Sequence, residues 1–334
     1  MEGHSCKRKV RICETLLETI HLVTPTHINP LGVAHGGNVL KWMITAGSMA
    51  AMRLSRGPAL LARMDNVFFI NPLRLGMNAV VTAWVEYVGR SSMEVTILVE
   101  EEDPRTGTRR ITTAAHTTYV RVGEDLRPRP VEACIVPRGP QEEELYKRAE
   151  ERRQHRSRKP PVSRELKPIV PGYSLENTRL VNPEDTIAYN AMHAGRLLYL
   201  MDETAGILAM KYARGVTVTA AVDATDFVSP ILVGDIVRIN AALTYLGRTS
   251  LEVGMTVETY NPITGESRRN ASSYFTMVHL SPEGRPAPIP KPSQSEAWRG
   301  EYALEAEERR RRRLELLRFF RQEADKIKPP KCIE

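Results

Sequence analysis

The chain has 334 residues, of which 42% are hydrophobic, 26% charged and 6% aromatic, the composition of an ordinary folded protein with room for about two domains. No apolar run reaches the roughly 18 residues that a membrane span needs, and the 23 prolines and 21 glycines follow no collagen-like period, so membrane-spanning and fibrous classes are excluded. The net charge of +7 would suit nucleic acid, an anionic ligand or no particular partner, and its placement has to decide.

The first twenty residues, MEGHSCKRKVRICETLLETI, carry charges throughout and offer neither an apolar stretch nor a small-residue cleavage site, which places the protein in the cytoplasm. Cys6, Cys13, Cys134 and Cys332 form no CxxC pair and no recognisable framework, so they read as reduced, incidental thiols, with no metal site expected.

From Pro25 onward the chain is written twice. His35 falls on His193, Asp65 on Asp223, Gly76 on Gly234, Tyr87 on Tyr245 and Gly107 on Gly265, all at an offset of 158. Pro25–Val122 against Pro183–Leu280 gives 29 identities in 98 ungapped pairs. A period this long marks a domain rather than one turn of a solenoid, so two like domains should face each other. In each, a proline-marked polar loop leads into a long apolar helix, Asn38–Leu54 or Arg196–Tyr212, with almost no β-branching and apolar nearly all round, hence buried. Strand-like stretches follow at Arg63–Ile70, Asn78–Val88, Met93–Glu101 and Thr108–Val122, and again at Ala221–Val228, Asp235–Leu246, Leu251–Thr259 and Ser267–Leu280. The expected class is α+β, one buried helix against an antiparallel sheet of about five or six strands per copy. The expected divisions are 1–122, a linker with a charged helix at 123–175, 176–290, and a charged helical tail at 291–334. AEERR at Ala149 recurs at Ala306, which ties the tail helix to the repeat. The run Arg309–Arg313 sits among glutamates and reads as a solvated or inter-subunit helix face rather than a nucleic-acid patch.

Differences between otherwise matched copies point to the chemistry. Copy one has Asn29 where copy two has Ile187, and copy two has Asp202 where copy one has Ile44. One working site assembled from the loop of copy one and the acid of copy two explains the pattern, and its mirror, Ile187 with Ile44, should be dead. A carboxylate inside an apolar helix is costly unless paired, hydrated or neutral. Asp202 is therefore either catalytic or a rim residue facing solvent or an arginine. Gly36 and Gly37 open the first helix and leave their N–H groups able to meet a ligand oxygen, helped by the helix dipole. His35 and His193 precede the helices and suit a structural hydrogen bond.

Asparagine, then His-Gly-Gly, then a long apolar helix, with the acid in the twin, resembles the tandem hotdog-fold acyl-CoA thioesterases of the cytosolic or brain type. The segments AHGGNVLKWM, LMDETAG, VTAAVDATDF and GRSSMEV carry the likeness, and it extends over nearly the whole chain. Copy two departs from it with His-Ala-Gly, and copy one with Ile44 and Thr45 where acids are common. The resemblance implies two hotdog domains sharing one site, with Asn29, Gly36 and His35 from the first and Asp202 from the second. It implies hydrolysis of acyl-CoA to free acid and CoA with no separate cofactor, Asp202 acting as general base or as nucleophile. Gly37, Arg90 and Arg248 are candidates for holding CoA. A homo-oligomer, a trimer of double units, is implied, with no nucleic-acid or membrane partner. The rival readings are a hotdog dehydratase, which would want a His–Asp pair, and a non-catalytic acyl-CoA sensor or scaffold.

Overall fold

The computed structural model describes residues 6–156, 166, 168–291 and 301–332; expectations falling on the rest of the linker and tail lie outside the described residues. Among the described residues four α-helices punctuate the chain: α1 Gly36–Ser55, α2 Gly139–Arg156, α3 Ala194–Ala213 and α4 Glu301–Glu323. Helices α1 and α3 are the matched apolar pair. Their Ala-, Leu- and Met-rich sequences favour helix, and most of their residues are buried.

Around α1 run the strands Leu17–Leu22, Asn78–Val88, Ser92–Glu102, Arg109–Arg121 and Ala59–Met64, in that spatial order, and around α3 the matching set with Ser174–Leu180 at its edge. All of these pair antiparallel. The edge strands Leu17–Leu22 and Ser174–Leu180 were not anticipated. They alternate half-buried and exposed positions with polar residues, so they lack the apolar density that marks the inner strands.

The two sheets are continuous across the seam. Thr225 pairs with Met64 and Asp226 with Arg63, while Ala221 pairs with Phe68 and Val222 with Val67, a symmetric exchange that makes one 12-stranded sheet. This exchange splits the single strand expected at Arg63–Ile70 into Ala59–Met64 and Val67–Phe68. The Asp65 and Asn66 step between them turns the chain from its own sheet to its twin's, and Asn66 Oδ1 accepts the Ala224 N–H at 2.7 Å.

Inside the seam α1 and α3 pack against each other. The approach is close at their first turns: a Cβ on Gly37 would lie 3.0 Å from the Tyr199 Cα, and one on Gly195 would lie 3.1 Å from the Lys41 Cα. Only glycine lets each helix start rest on the other helix's backbone.

The outer helices correct one expectation. The arginine run is not simply solvated, because α4 lies on the second copy's sheet and turns Arg309 and Arg313, one helical turn apart, inward. Arg313 is 7% exposed. It bonds both oxygens of Asp223, at 2.6 and 2.7 Å, and Glu252 at 2.6 Å. Arg309 bonds Glu252 at 2.8 Å and stacks over Tyr274. On the first copy α2 also turns an arginine onto its sheet, but Arg152 bonds the buried Glu86, which matches Thr244 rather than Glu252 at the 158 offset.

The cysteines also correct the sequence reading. Cys6 is bonded to Cys134 and Cys13 to Cys332, across sequence separations of 128 and 319. Tertiary structure alone brings them together: the strand Arg8–Val10 pairs in parallel with Ala133–Ile135, which sets Cys6 beside Cys134. Spacing along the chain carries no trace of such long-range pairing. Crosslinks that close loops this long chiefly restrict the unfolded chain, each typically contributing about 2–4 kcal/mol. Reduction is therefore expected to lower Tm substantially, and calorimetry with and without a phosphine reductant measures it; an unchanged Tm would refute a stabilising role.

Candidate active site

Asp202 occupies the third turn of α3, is fully buried, and points across the seam to the start of α1. Its Oδ2 accepts the Gly37 N–H at 2.6 Å, and its Oδ1 accepts the Thr219 hydroxyl at 2.5 Å. His35 Nδ1 is 3.1 Å from Oδ2. The same Nδ1 also lies 3.3 Å from the Gly37 N–H. It cannot accept that proton and donate to the carboxylate at once. Gly37 makes the shorter bond to Asp202, so the arrangement is satisfied with Nδ1 protonated and donating. Three donors then surround one carboxylate at a helix N-terminus, where negative charge is favoured.

Burial nevertheless dominates. It raises the Asp202 pKa above the ordinary aspartate value, with His35, Thr219 and the Gly37 amide pulling the other way and Glu203 adding to the rise. A carboxyl displaced toward neutrality and held in fixed geometry suits proton abstraction from a water molecule.

The structure brings Asp202, His35, Gly36 and Gly37 together. Gly36 is tightly enclosed: a Cβ there would fall 2.8 Å from Thr219 Cβ and Oγ1 and 3.0 Å from Asp202 Oδ2. Its own N–H makes no hydrogen bond among the described residues. Gly37 departs from its expected part in holding CoA, because its N–H is committed to Asp202. Asn29 lies in the loop that delivers His35, but it does not touch the carboxylate. Its Oδ1 accepts from the Leu31 and Val33 amides at 2.9 and 3.3 Å, which shapes the loop and does not engage its Nδ2. Arg90 and Arg248 are exposed on tight turns between long strands, and no contact ties them to Asp202.

Thr219 is the residue that sequence reading missed. The signal was present: copy one has Leu61 at the matched position, the same kind of difference that singled out Asp202. Thr219→Val removes one donor from a buried carboxylate, worth about 1.5–3 kcal/mol for a bond to a charged group. It is expected to cut kcat/KM at least about tenfold and to move the acid limb of the pH profile upward; an unchanged profile would count against the assignment.

The mirror position is stripped of all of this. Ile44, Leu61, Ala194 and Ile187 replace Asp202, Thr219, Gly36 and Asn29. His193 remains, its pKa pushed down to about 4 by burial first and by Lys41 second. Restoring only the acid with Ile44→Asp should not create a second centre. It should bury a carboxylate facing Leu61 rather than a hydroxyl, and lower stability by several kcal/mol, read as a fall in Tm with no gain in turnover.

A family model described as the thioesterase superfamily matches the chain twice, at residues 31–108 and 189–265. The chain is 32% identical over 292 residues to the cytosolic acyl coenzyme A thioester hydrolase of Mus musculus, covering 81% of this chain and 76% of that one. It is 32% identical over 295 residues to the protein of the same name from Homo sapiens, covering 82% and 77%. Among solved structures, a putative oleoyl thioesterase from Lactobacillus plantarum matches 80% of this chain and 97% of its own with a TM-score of 0.54 at 11% identity, a likeness of fold.

Proposed function

This chain belongs to the thioesterase superfamily, within the tandem family of the cytosolic acyl coenzyme A thioester hydrolases, and we propose that it hydrolyses acyl-CoA thioesters at a single centre on the seam between its two hotdog copies. The observation that carries the reading is the Asp202 carboxylate, sealed from solvent yet held by a hydroxyl, an amide and an imidazole drawn from both copies.

In the proposed reaction Asp202 takes a proton from water as the oxygen attacks the thioester carbonyl carbon. The negative charge developing on the carbonyl oxygen is received by the Gly36 N–H at the helix start, where one such donor can be worth about 3 kcal/mol. Asn29 Nδ2 orients the substrate or the water. Collapse of the tetrahedral species breaks the carbon–sulfur bond and releases CoA as thiolate, which takes up the proton, while the acyl group leaves as the free acid. Thiolate is a competent leaving group, so the chain's own residues suffice.

The His35–Asp202 contact is the pair that a dehydratase would use. Here the imidazole shares its carboxylate oxygen with Gly37, and the relatives are hydrolases, which favours thioester hydrolysis. A thiol-release assay across acyl chain lengths on the wild type and on Asn29→Ala and Asp202→Ala tests the proposal; turnover that survives both substitutions would refute it.

Arg90 and Arg248 stay as proposed contacts for the CoA phosphates, supported by their exposure. A homo-oligomer, a trimer of double units, is proposed as well, supported by Ile20 and Leu22, each 55% exposed on an edge strand, and light scattering tests it. Among the described residues no helix is long and apolar enough to cross a membrane. A cytoplasmic location is proposed on the relatives' names. The two disulfides weigh against it, since cytosolic proteins outside hyperthermophiles seldom keep them.

A further inference from the structure

The burial that suits Asp202 to hold a proton also shuts water away from it. The carboxylate is 0% exposed, and its two oxygens already accept the Gly37 N–H, the Thr219 hydroxyl and the His35 ring proton. A base has to come within hydrogen-bond reach of the proton it removes, or be joined to it by a relay. The neighbouring group that does reach solvent is the His35 ring, whose side chain is 32% exposed beside the sealed acid.

The two ring nitrogens have different surroundings. Nδ1 lies 3.1 Å from Asp202 Oδ2 and carries the proton, so Nε2 has a free lone pair. Nε2 faces Gly206, one helical turn beyond Asp202 on α3: a Cβ at that buried glycine would lie 3.9 Å from Nε2 and 4.0 Å from Met277 Cε, with nothing nearer from outside the helix. The missing side chain leaves room at the nitrogen. An imidazole held by a buried carboxylate at one nitrogen and open at the other is how hydrolases present a base. His193 supplies the contrast within the same chain. It turns a ring proton to the Ile44 carbonyl instead of to an acid, and its Nε2 is sealed from solvent.

We propose that His35 is a further catalytic residue, a proton relay whose Nε2 takes the proton of the attacking water while Nδ1 passes its own proton to Asp202. The inference rests on the proposed thioester hydrolysis and deepens it, because the proton still ends on Asp202 but travels through the ring. As the water oxygen bonds to the thioester carbon, one O–H bond breaks and its proton joins Nε2; the Nδ1 proton crosses to Oδ2. The ring stays neutral in its other tautomer and Asp202 becomes a carboxylic acid, the form that burial favours. When the carbon–sulfur bond breaks, the Nε2 proton goes to the departing sulfur and Asp202 returns its proton to Nδ1. Free acid and CoA thiol are formed, and the starting state is restored.

Thiol release by variants of the full chain tests the relay. His35→Asn sets an amide N–H near the Nδ1 position, keeps a donor for Asp202 and removes Nε2. It should lose at least about 10²-fold in kcat, the scale of a lost proton-transfer group, while thermal unfolding shows the fold retained. His35→Ala vacates the place of a partly exposed ring, so added imidazole should restore part of the lost turnover with saturation. The His35→Ala, Asp202→Asn double variant should not respond, and it measures the direct reaction of imidazole with the thioester. Near wild-type turnover in His35→Asn would reduce the ring to a hydrogen-bond donor and overturn the relay. A His35→Ala variant that imidazole leaves silent would overturn it too, since the shape of the loop alone would then have been lost. Absence of thiol release by the wild type would overturn the hydrolase reading itself, and this inference with it.

Discussion

Asp202→Asn is expected to lower kcat/KM for thioester hydrolysis by about 10²–10⁴, the range for loss of a positioned proton acceptor, in a thiol-release assay. The amide matches the carboxylate in shape, keeps an oxygen for the Thr219 hydroxyl or the Gly37 N–H, and cannot take a proton from water. Stability should move the other way. The buried Asp202 carboxyl has a folded-state pKa above its unfolded value, so its contribution to stability is fully present below the unfolded pKa and is lost as pH rises through the folded one. At neutral pH the ionised side chain is therefore a burden on the fold. Asp202→Asn should raise Tm, a gain of ~1 kcal/mol appearing as about 2–4 °C in a chain of this size. In the wild type the acid limb of kcat/KM should lie above the usual aspartate value of about 3.9. A variant that keeps wild-type turnover would eliminate Asp202 as the base.

Arg313→Ala should be the most damaging substitution remote from the centre, at about 3–5 kcal/mol. The arginine is nearly buried between Asp223 and Glu252, and both acids lie beneath α4. Burial raises Asp223, and Arg313 offsets this only in part. Burial acts on Glu252 in the same direction, but Arg313 and Arg309 outweigh it and hold its carboxyl below the ordinary value. Glu252 thus contributes stability at neutral pH that is lost on acidification. Removing Arg313 leaves Asp223 without its two-point partner and Glu252 with Arg309 alone, both against a sheet. Denaturant unfolding measures the loss. A change under ~1 kcal/mol would mean that α4 is an appendage.

The repeat made the architecture legible. Once His35 was set on His193, the helices α1 and α3 and the inner strands could be read from periodicity, because buried elements need apolar residues at fixed spacing. The edge strand Leu17–Leu22 was not legible, since one side of it meets solvent and polar residues there cost nothing. The divided strand at Asp65 and Asn66 was hidden for another reason: pairing with the twin copy is a tertiary event with no local signature. At the site, Asp202 stood out as a charge in an apolar helix, and the comparison of copies singled out Asn29, whose side chain the structure commits to its own loop rather than to the carboxylate. Thr219 was overlooked because a threonine in a strand needs no explanation. The division of labour between Gly36 and Gly37 required coordinates, as adjacent backbone amides are indistinguishable in a sequence. The arginine run misled because charge at a helix surface is normally solvated, and the acids beneath it are far away along the chain.

The bond from Cys13 to Cys332 turns the polypeptide between them into a covalent ring that contains both halves of the seam. The halves are then tethered on two sides, by the peptide linker and by sulfur. An oxidised molecule that opens at the seam keeps its own two halves at high effective concentration, so closing on itself is favoured over trading a half with a neighbour, and a hybrid centre built from two polypeptides should form more readily in the reduced chain.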